Sequence, residues 1–406
     1  MKDPEIPQET RLPKNTRCEF NSKTRISYIL TSPRYFITHR LPLALAAKKE
    51  GYDVTVICPS GPDVDEITSH GFKHIHFVFN RKGTNPIFEL MTILKLSLIL
   101  ITTKPDLVHN LALKPVLYGT IAARLAGVKG IVNLVAGLGY SFSGNSKKQR
   151  VIQFVIKAGL FLTCRSKKVT MVVQNDDDRK VLADPFCIGT HGVRLIRGSG
   201  VNVERFVSQP REPASSHGPR QIVVGLAARM LWDKGIGEFV AAARRLKNQT
   251  DAKFILAGPL DPENPVGVSA EQLEAWNQEG AIQWVGEQRN MPDFYGSLDI
   301  CALPSKYREG VPLSLIEAAS CGLSIVATDM PGCRDICRNG LNGFLVPRGD
   351  VDSLTANLKK LINDPELRKK MGAASRVLAE TEFSQETVIR QTLAIYLTYQ
   401  NSSRHK

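Results

Sequence analysis

Two glutamates, Glu309 and Glu317, lie within the stretch Leu303–Thr328, LPSKYREGVPLSLIEAASCGLSIVAT. The apolar run before it stops at Pro304. Apolar residues then recur at Leu313, Ile316, Ala319 and Cys321, near helical spacing, until Gly322 ends the pattern. Pro312 fits the first helical position, where its missing N–H costs nothing. Glu309 therefore lies in the loop before a helix, and Glu317 about one and a half turns inside it. The N–H groups of Gly310, Val311 and Leu313 are candidate free donors at that helix N-terminus, a place that attracts anions. A carboxylate beside them can hold sugar hydroxyls while the amides hold a phosphate. Two glutamates taken alone would more often be a loop residue and a surface residue, because exposed Glu is common. Their surroundings reverse those odds.

The elements that must position this unit alternate along the chain. Arg25–Leu30 reads as a buried strand, TSPRYFIT as a loop, His39–Glu50 as an amphipathic helix and Val54–Cys58 as the next strand. This β–α–β opening lacks G-x-G-x-x-G, so NAD or FAD is not expected. Phe72–Phe79 reads as a strand, Asn85–Thr103 as a long apolar helix and Leu107–His109 as a strand. That places His109 at a strand's carboxyl end, where open α/β sheets bind ligands; catalysis or substrate orientation is its functional reading. Lys114 follows in the adjoining loop as a phosphate contact. Strands follow at Gly130–Val135 and Val169–Val173, and Asn175 caps a helix opened by three aspartates. Those aspartates suit a helix N-terminus better than a metal site. The polar, proline-rich stretch 208–220 reads as a hinge. The expected organisation is a disordered tail 1–23, a first domain 24–207, the hinge, a second domain 221–384, and a terminal helix 385–406 that crosses back onto the first domain.

The 406 residues suffice for two ordinary domains, and 43% hydrophobic with 23% charged content is that of a soluble globular protein. A net charge of +14 points to an anionic partner: nucleic acid, acidic lipid or a phosphorylated substrate. Eight irregularly placed cysteines suit reduced cytosolic thiols rather than a disulfide framework. Cys333 and Cys337 share a helical face but have no second ligand pair, so no zinc site is expected. The first 23 residues lack the apolar core of a signal peptide. The apolar windows Leu90–Ile101 and Val151–Cys164 fall short of the roughly 20 residues that span a bilayer. Between Tyr140 and Gln174 there is no carboxylate, while Lys147, Lys148, Arg150, Lys157, Arg165, Lys167 and Lys168 surround the apolar run VIQFVIKAGLFL. An apolar face with basic flanks is the pattern of a helix lying on an acidic membrane surface.

Glu309-Gly-Val-Pro-Leu-Ser-Leu-Ile-Glu317, followed by EAASCGLSIVATDMPGCRDI and NGFLVP, closely resembles family 4 of the retaining glycosyltransferases. That resemblance implies the GT-B fold, an α/β architecture of two Rossmann-like domains facing across a cleft. FITHRLPLALA, KPVLYGTIAARLAG and VAGLGYSF narrow it to the subgroup that extends undecaprenyl-diphosphate-linked sugars, which includes the N-acetylgalactosaminyltransferases acting on undecaprenyl-diphospho-bacillosamine. LAARMLWDKGIGEFV resembles the family motif that holds the donor diphosphate, which puts Arg229 and Lys234 in those roles. A guanidinium gives a forked contact and an ammonium a point charge, neutralising a leaving nucleoside diphosphate without a metal. Gly198-Ser199-Gly200 is expected near the donor phosphate, with Gly310, Val311, Pro312 and Leu313 around it. Glu309 would hold donor-sugar hydroxyls and Glu317 the ribose or sugar side. On the acceptor side stand His39, Arg40, Lys114 and Tyr140. Many family members place a cleft histidine where this chain has Ala136-Gly137-Leu138, which leaves open any acceptor-side base.

The resemblance implies a metal-independent, cofactor-free retaining enzyme. It would use a UDP-sugar and a polyprenyl-diphosphate-linked sugar, and sit in the cytoplasm at the periphery of the inner membrane. A sugar-nucleotide epimerase of similar fold is the alternative enzyme reading. A nucleic-acid-binding role is not expected, because the chain lacks basic motifs interleaved with aromatics.

Overall fold

Short Val- and Ile-rich strands, apolar on both faces, alternate with helices from end to end, as parallel sheets covered on both sides require. The structure, a computed structural model, describes residues 24–80, 85–139, 142, 146–208 and 221–401. The first half runs β1 (Arg25–Ile29), α1 (Pro33–His39), α2 (Leu41–Lys49), β2 (Asp53–Cys58), α3 (Val64–Ser69), β3 (Lys73–His76), α4 (Pro86–Thr103), β4 (Leu107–Leu111), α5 (Leu113–Leu125), β5 (Gly130–Val135), α6 (Lys147–Cys164), β6 (Val169–Val173), α7 (Asp176–Leu182) and β7 (Val193–Leu195). The second runs β8 (Ile222–Ala227), α8 (Ile236–Leu246), β9 (Ala252–Ala257), α9 (Ala270–Glu279), β10 (Gln283–Trp284), α10 (Met291–Gly296), β11 (Ile300–Leu303), α11 (Leu313–Ser320), β12 (Ser324–Thr328), α12 (Cys333–Ile336), β13 (Gly343–Val346), α13 (Val351–Asn363), α14 (Pro365–Thr381) and α15 (Gln385–Asn401).

The strands form two parallel sheets, ordered β3-β2-β1-β4-β5-β6-β7 and β10-β9-β8-β11-β12-β13. Each order reverses at one point, β1 beside β4 and β8 beside β11, and such a point opens a ligand crevice at the strands' carboxyl ends. The expected doubly wound α/β architecture is borne out. Each face of the first sheet has its own apolar layer, and one continuous core fills the second half. The terminal helix α15 packs on the first sheet. Its Tyr396 is fully buried there and its Tyr399 hydroxyl bonds Thr170 Oγ1 at 2.6 Å.

Two local readings are corrected. The segment expected as a loop after β1 is largely α1: Ser32 caps it, accepting from the Tyr35 N–H, and Pro33 takes its first position. The helix breaks at Arg40, because Pro42 cannot donate and crowds the turn before it. Strand β4 continues to Leu111, so His109 sits mid-strand, paired with Tyr28 of β1 and Val132 of β5.

Candidate active site

Domain two supplies the charged centre. Strand β11 ends at Pro304, and the loop to α11 brings Glu309 back over the turn that follows β8. There the Lys234 ammonium pairs with the Glu309 carboxylate, and the Ser305 hydroxyl donates to the same oxygen at 3.1 Å. Both charged side chains are largely withdrawn from water, 17% and 12% exposed, so the pair is strongly coupled. The Tyr307 ring lies 5.8 Å from the Lys234 ammonium. Gly235, at φ +78°, lets this turn rest on the Pro304 carbonyl, which any Cβ would meet at 2.1 Å. Arg229 stands at the same strand end, its guanidinium held by Asp261 at 2.8 Å and more than half exposed.

The helix beginning here has an open N-terminus. Pro312 is its cap residue, one position earlier than the sequence pattern gives; no side chain caps it and its first turn holds no acidic residue. Among the described residues the N–H groups of Gly310 and Val311 donate to nothing. An uncapped terminus beside a lysine is a phosphate site in waiting.

Domain one grips the loop that carries Glu309. Asn175 Nδ2 donates to the carbonyls of Glu309 (3.1 Å) and Gly310 (3.2 Å). Asp178 is fully buried and accepts from Arg308 Nε at 2.9 Å and from the Leu138 N–H at 3.2 Å. Burial raises the Asp178 pKa, and the Arg308 charge and hydrogen bond oppose that. Two further links cross the domains: Arg197 bridges Asp176 (2.9 Å) and Asp335 (2.6 Å), and Arg334 approaches Asp177 at 3.6 Å. The three aspartates at the start of α7 thus serve as partners for arginines. Glycines make the approach possible. A Cβ on Gly137 would lie 2.6 Å from the Gly310 nitrogen, and one on Gly332 would lie 1.8 Å from the Gly310 carbonyl oxygen. The Ala136–Gly137 turn after β5 thus lies against the Glu309–Gly310 backbone.

Residues 25–173 match the glycosyl transferase 4-like family model, and residues 209–377 match the model for glycosyl transferases group 1. The chain belongs to the GT-B glycosyltransferases of the family 4 type. This glycosyltransferase is 26% identical over 379 residues, 92% of its length and 98% of the relative's, to the N,N'-diacetylbacillosaminyl-diphospho-undecaprenol alpha-1,3-N-acetylgalactosaminyltransferase of Campylobacter jejuni. It is 23% identical over 362 residues, 86% of its length and 90% of the relative's, to the UDP-Gal:alpha-D-GlcNAc-diphosphoundecaprenol alpha-1,3-galactosyltransferase of Escherichia coli. Its fold matches Anabaena HepE, solved with UDP and glucose, at a TM-score of 0.74 and 17% identity, covering 92% of this chain and 99% of that one.

The structure groups the remaining expected residues unevenly around the glycosyltransferase cleft. Ser199 lies near Gln174, whose side chain borders Gly310; Gly198 backs onto Ile316 and Val311, and Gly200 onto Gln385. The 198–200 turn therefore lies beside the α11 terminus. His109 does not lie at a strand end: it is buried in the first sheet's core, and its Nδ1 is engaged by the Tyr396 hydroxyl at 2.6 Å. Burial, with Arg40 nearby, holds it neutral. Lys114 is committed to Glu89 of α4 at 2.8 Å and to the Asn80 carbonyl, so it is not an open phosphate contact. His39 and Arg40 are not water-facing helix-start residues. Burial pushes His39 down to about 3, and Arg40 is 2% exposed with Nε and Nη2 unpartnered among the described residues. Tyr140 and nearly all of the expected hinge lie outside the described residues.

Glu317, on α11, is half-buried rather than on the open surface. Burial pushes its carboxyl up to about 7, against the opposing pull of Tyr295 and Arg205. The folded protein then keeps a proton that the unfolded chain gives up near 4.5, so stability should fall as pH rises between those values, by on the order of 3 kcal/mol. Thermal unfolding against pH tests this: Glu317→Gln should flatten the slope in that window, and an unchanged slope would assign it elsewhere.

Proposed function

We propose that this enzyme moves an N-acetylhexosamine-type sugar from UDP onto a saccharide linked to undecaprenyl diphosphate, with retention of anomeric configuration. The observation that carries the reading is the Lys234–Glu309 pair beside the uncapped start of α11. When the donor enters, Lys234 turns to its diphosphate together with Arg229 and the α11 amides, which frees Glu309 to hold sugar hydroxyls. Glu317, protonated below about 7, can both donate to and accept from ribose hydroxyls. The departing phosphate takes the acceptor hydroxyl's proton on the front face, so neither a metal nor an acceptor-side base is required. Preorganised cations in a dry cleft supply the stabilisation such a transfer needs. The relatives' printed substrates support the lipid-linked acceptor.

A membrane-embedded acceptor needs an enzyme that lies on the bilayer, at its cytoplasmic face. Helix α6 exposes Val151, Phe154, Val155 and Leu162 beside Lys147 and Arg150. Helix α4 is long and apolar enough to cross a membrane by length and composition, and is only 17% buried. It connects β3 to β4 and seats Leu96 and Leu100 on the sheet. We read it as lying along the bilayer, since crossing would tear that connection open.

A transfer assay with a panel of UDP-sugars and a polyprenyl-diphosphate-linked N-acetyl sugar tests the reaction by product mass. The expected result is a gain of one N-acetylhexosamine with anomeric retention by NMR. An inverted product, or isomerised donor without transfer, would overturn it.

A further inference from the structure

At the opposite end of the first sheet from the catalytic cleft, the strands' amino ends surround a cavity of about 920 Å³. Lys129, Arg165, Lys167, Lys168 and Arg194 line it, and among the described residues no carboxylate does. Lys129 has a counter-charge in Asp106 at 3.1 Å, and the Arg165 guanidinium lies over the Phe161 ring at 5.0 Å. Lys167, Lys168 and Arg194 make no ion pair among the described residues. Four cations without counter-charges around one hollow repel one another, and an anion relieves that repulsion. Thr398 and Tyr399, from α15, line another wall.

The surroundings identify the anion's source. Leu162, 73% exposed on α6, precedes the lining residue Arg165 by about one helical turn, and Phe186, 84% exposed, follows Pro185, whose carbonyl accepts from Arg165 Nη1 at 3.4 Å. Cations at headgroup depth next to apolar side chains at acyl depth make up an interfacial lipid site. A site for a soluble phosphate has no use for the apolar rim. We propose that this cavity binds the phosphate of an acidic phospholipid headgroup. It would fix the foot of domain one to the bilayer while α4 and α6 lie along it. The proposal rests on the membrane-lying reading above and adds a specific contact to it.

The test uses the purified full chain, Lys167→Glu/Lys168→Glu/Arg194→Glu and its milder Gln counterpart, in flotation with phosphatidylcholine vesicles with and without phosphatidylglycerol. The wild type should prefer the acidic vesicles. The Glu variant should lose that preference by about tenfold or more and the Gln variant by less, while both keep binding to neutral vesicles and turn over a short-chain soluble acceptor at the wild-type rate. A companion variant, Leu98→Ser/Phe154→Ser, should weaken binding to both vesicle types. If the triple variants keep the full acidic preference while the companion weakens binding, the cavity is not the headgroup site and the membrane reading stands. If the wild type binds neither vesicle, the membrane reading itself fails. Calorimetry with glycerol phosphate separates the sources: saturable binding lost in the Glu variant, with vesicle preference intact, would assign the cavity to a soluble phosphate and overturn the lipid assignment.

Discussion

Glu309→Gln should lower kcat/KM for transfer by roughly two to three orders of magnitude while leaving the protein folded. The carboxylate has two tasks. Without donor it neutralises Lys234, and in the proposed mechanism it accepts from the sugar hydroxyls once the donor is bound. Glutamine keeps the shape and one acceptor but loses the charge, so Lys234 stays without a counter-ion until a diphosphate arrives. Donor binding should therefore change little, or tighten, and the loss should fall on kcat. Equal loss in Arg229→Ala would appear mainly in KM if its exposed guanidinium serves ground-state binding. A Glu309→Gln enzyme with near-wild-type kcat would remove this residue from the reacting centre.

Asp178→Ala should be the second most damaging change, and it acts through the loop rather than on substrate. It strips the counter-charge from Arg308, whose side chain is 15% exposed. Breaking a buried pair by removing one partner usually costs about 3–5 kcal/mol. Here the partners sit on different domains, so opening the cleft rehydrates Arg308 without unfolding either half. The expected signature is a larger radius of gyration by small-angle scattering, a melting temperature within a few degrees of wild type, and kcat reduced about 10–100-fold as the Glu309 loop loses its alignment. Asp178→Ala/Arg308→Ala should recover part of the closure. A collapsed melting temperature with unchanged dimensions would instead make the pair a structural element.

The architecture was legible because strand patterns and the spacing from Glu309 to Glu317 agree locally. Helix boundaries such as Val351–Asn363 and Pro365–Thr381 follow from caps and periodicity alone. The cross-domain contacts were not legible. Asn175 and its three aspartates were readable as a helix cap, yet nothing local announces that Arg308 and Arg334, more than a hundred residues away, complete them. The nearest signal was Arg308 itself, a cation directly before the key glutamate. His109 was misplaced because Asn110 and Leu111 carry the strand two residues past the point where its apolar pattern breaks. Asn110 is a polar residue carried inside, its Nδ2 donating to Asn133 Oδ1 at 2.8 Å. Lys114 was misread for the same reason, since its partner Glu89 comes from another helix.

The crossing of α15 has a consequence for how the protein is made. The first sheet's core holds Tyr396, whose hydroxyl meets both His109 and Tyr28. Domain one therefore cannot complete its interior from its own residues. Roughly 200 residues must be translated after β7 before Tyr396 exists, some 10–40 s of synthesis at bacterial rates. For that interval His109 and Arg40 border an open groove. An early domain that waits on a late helix is an opening for chaperones, and severing the chain within the hinge would leave a first half unable to mature alone.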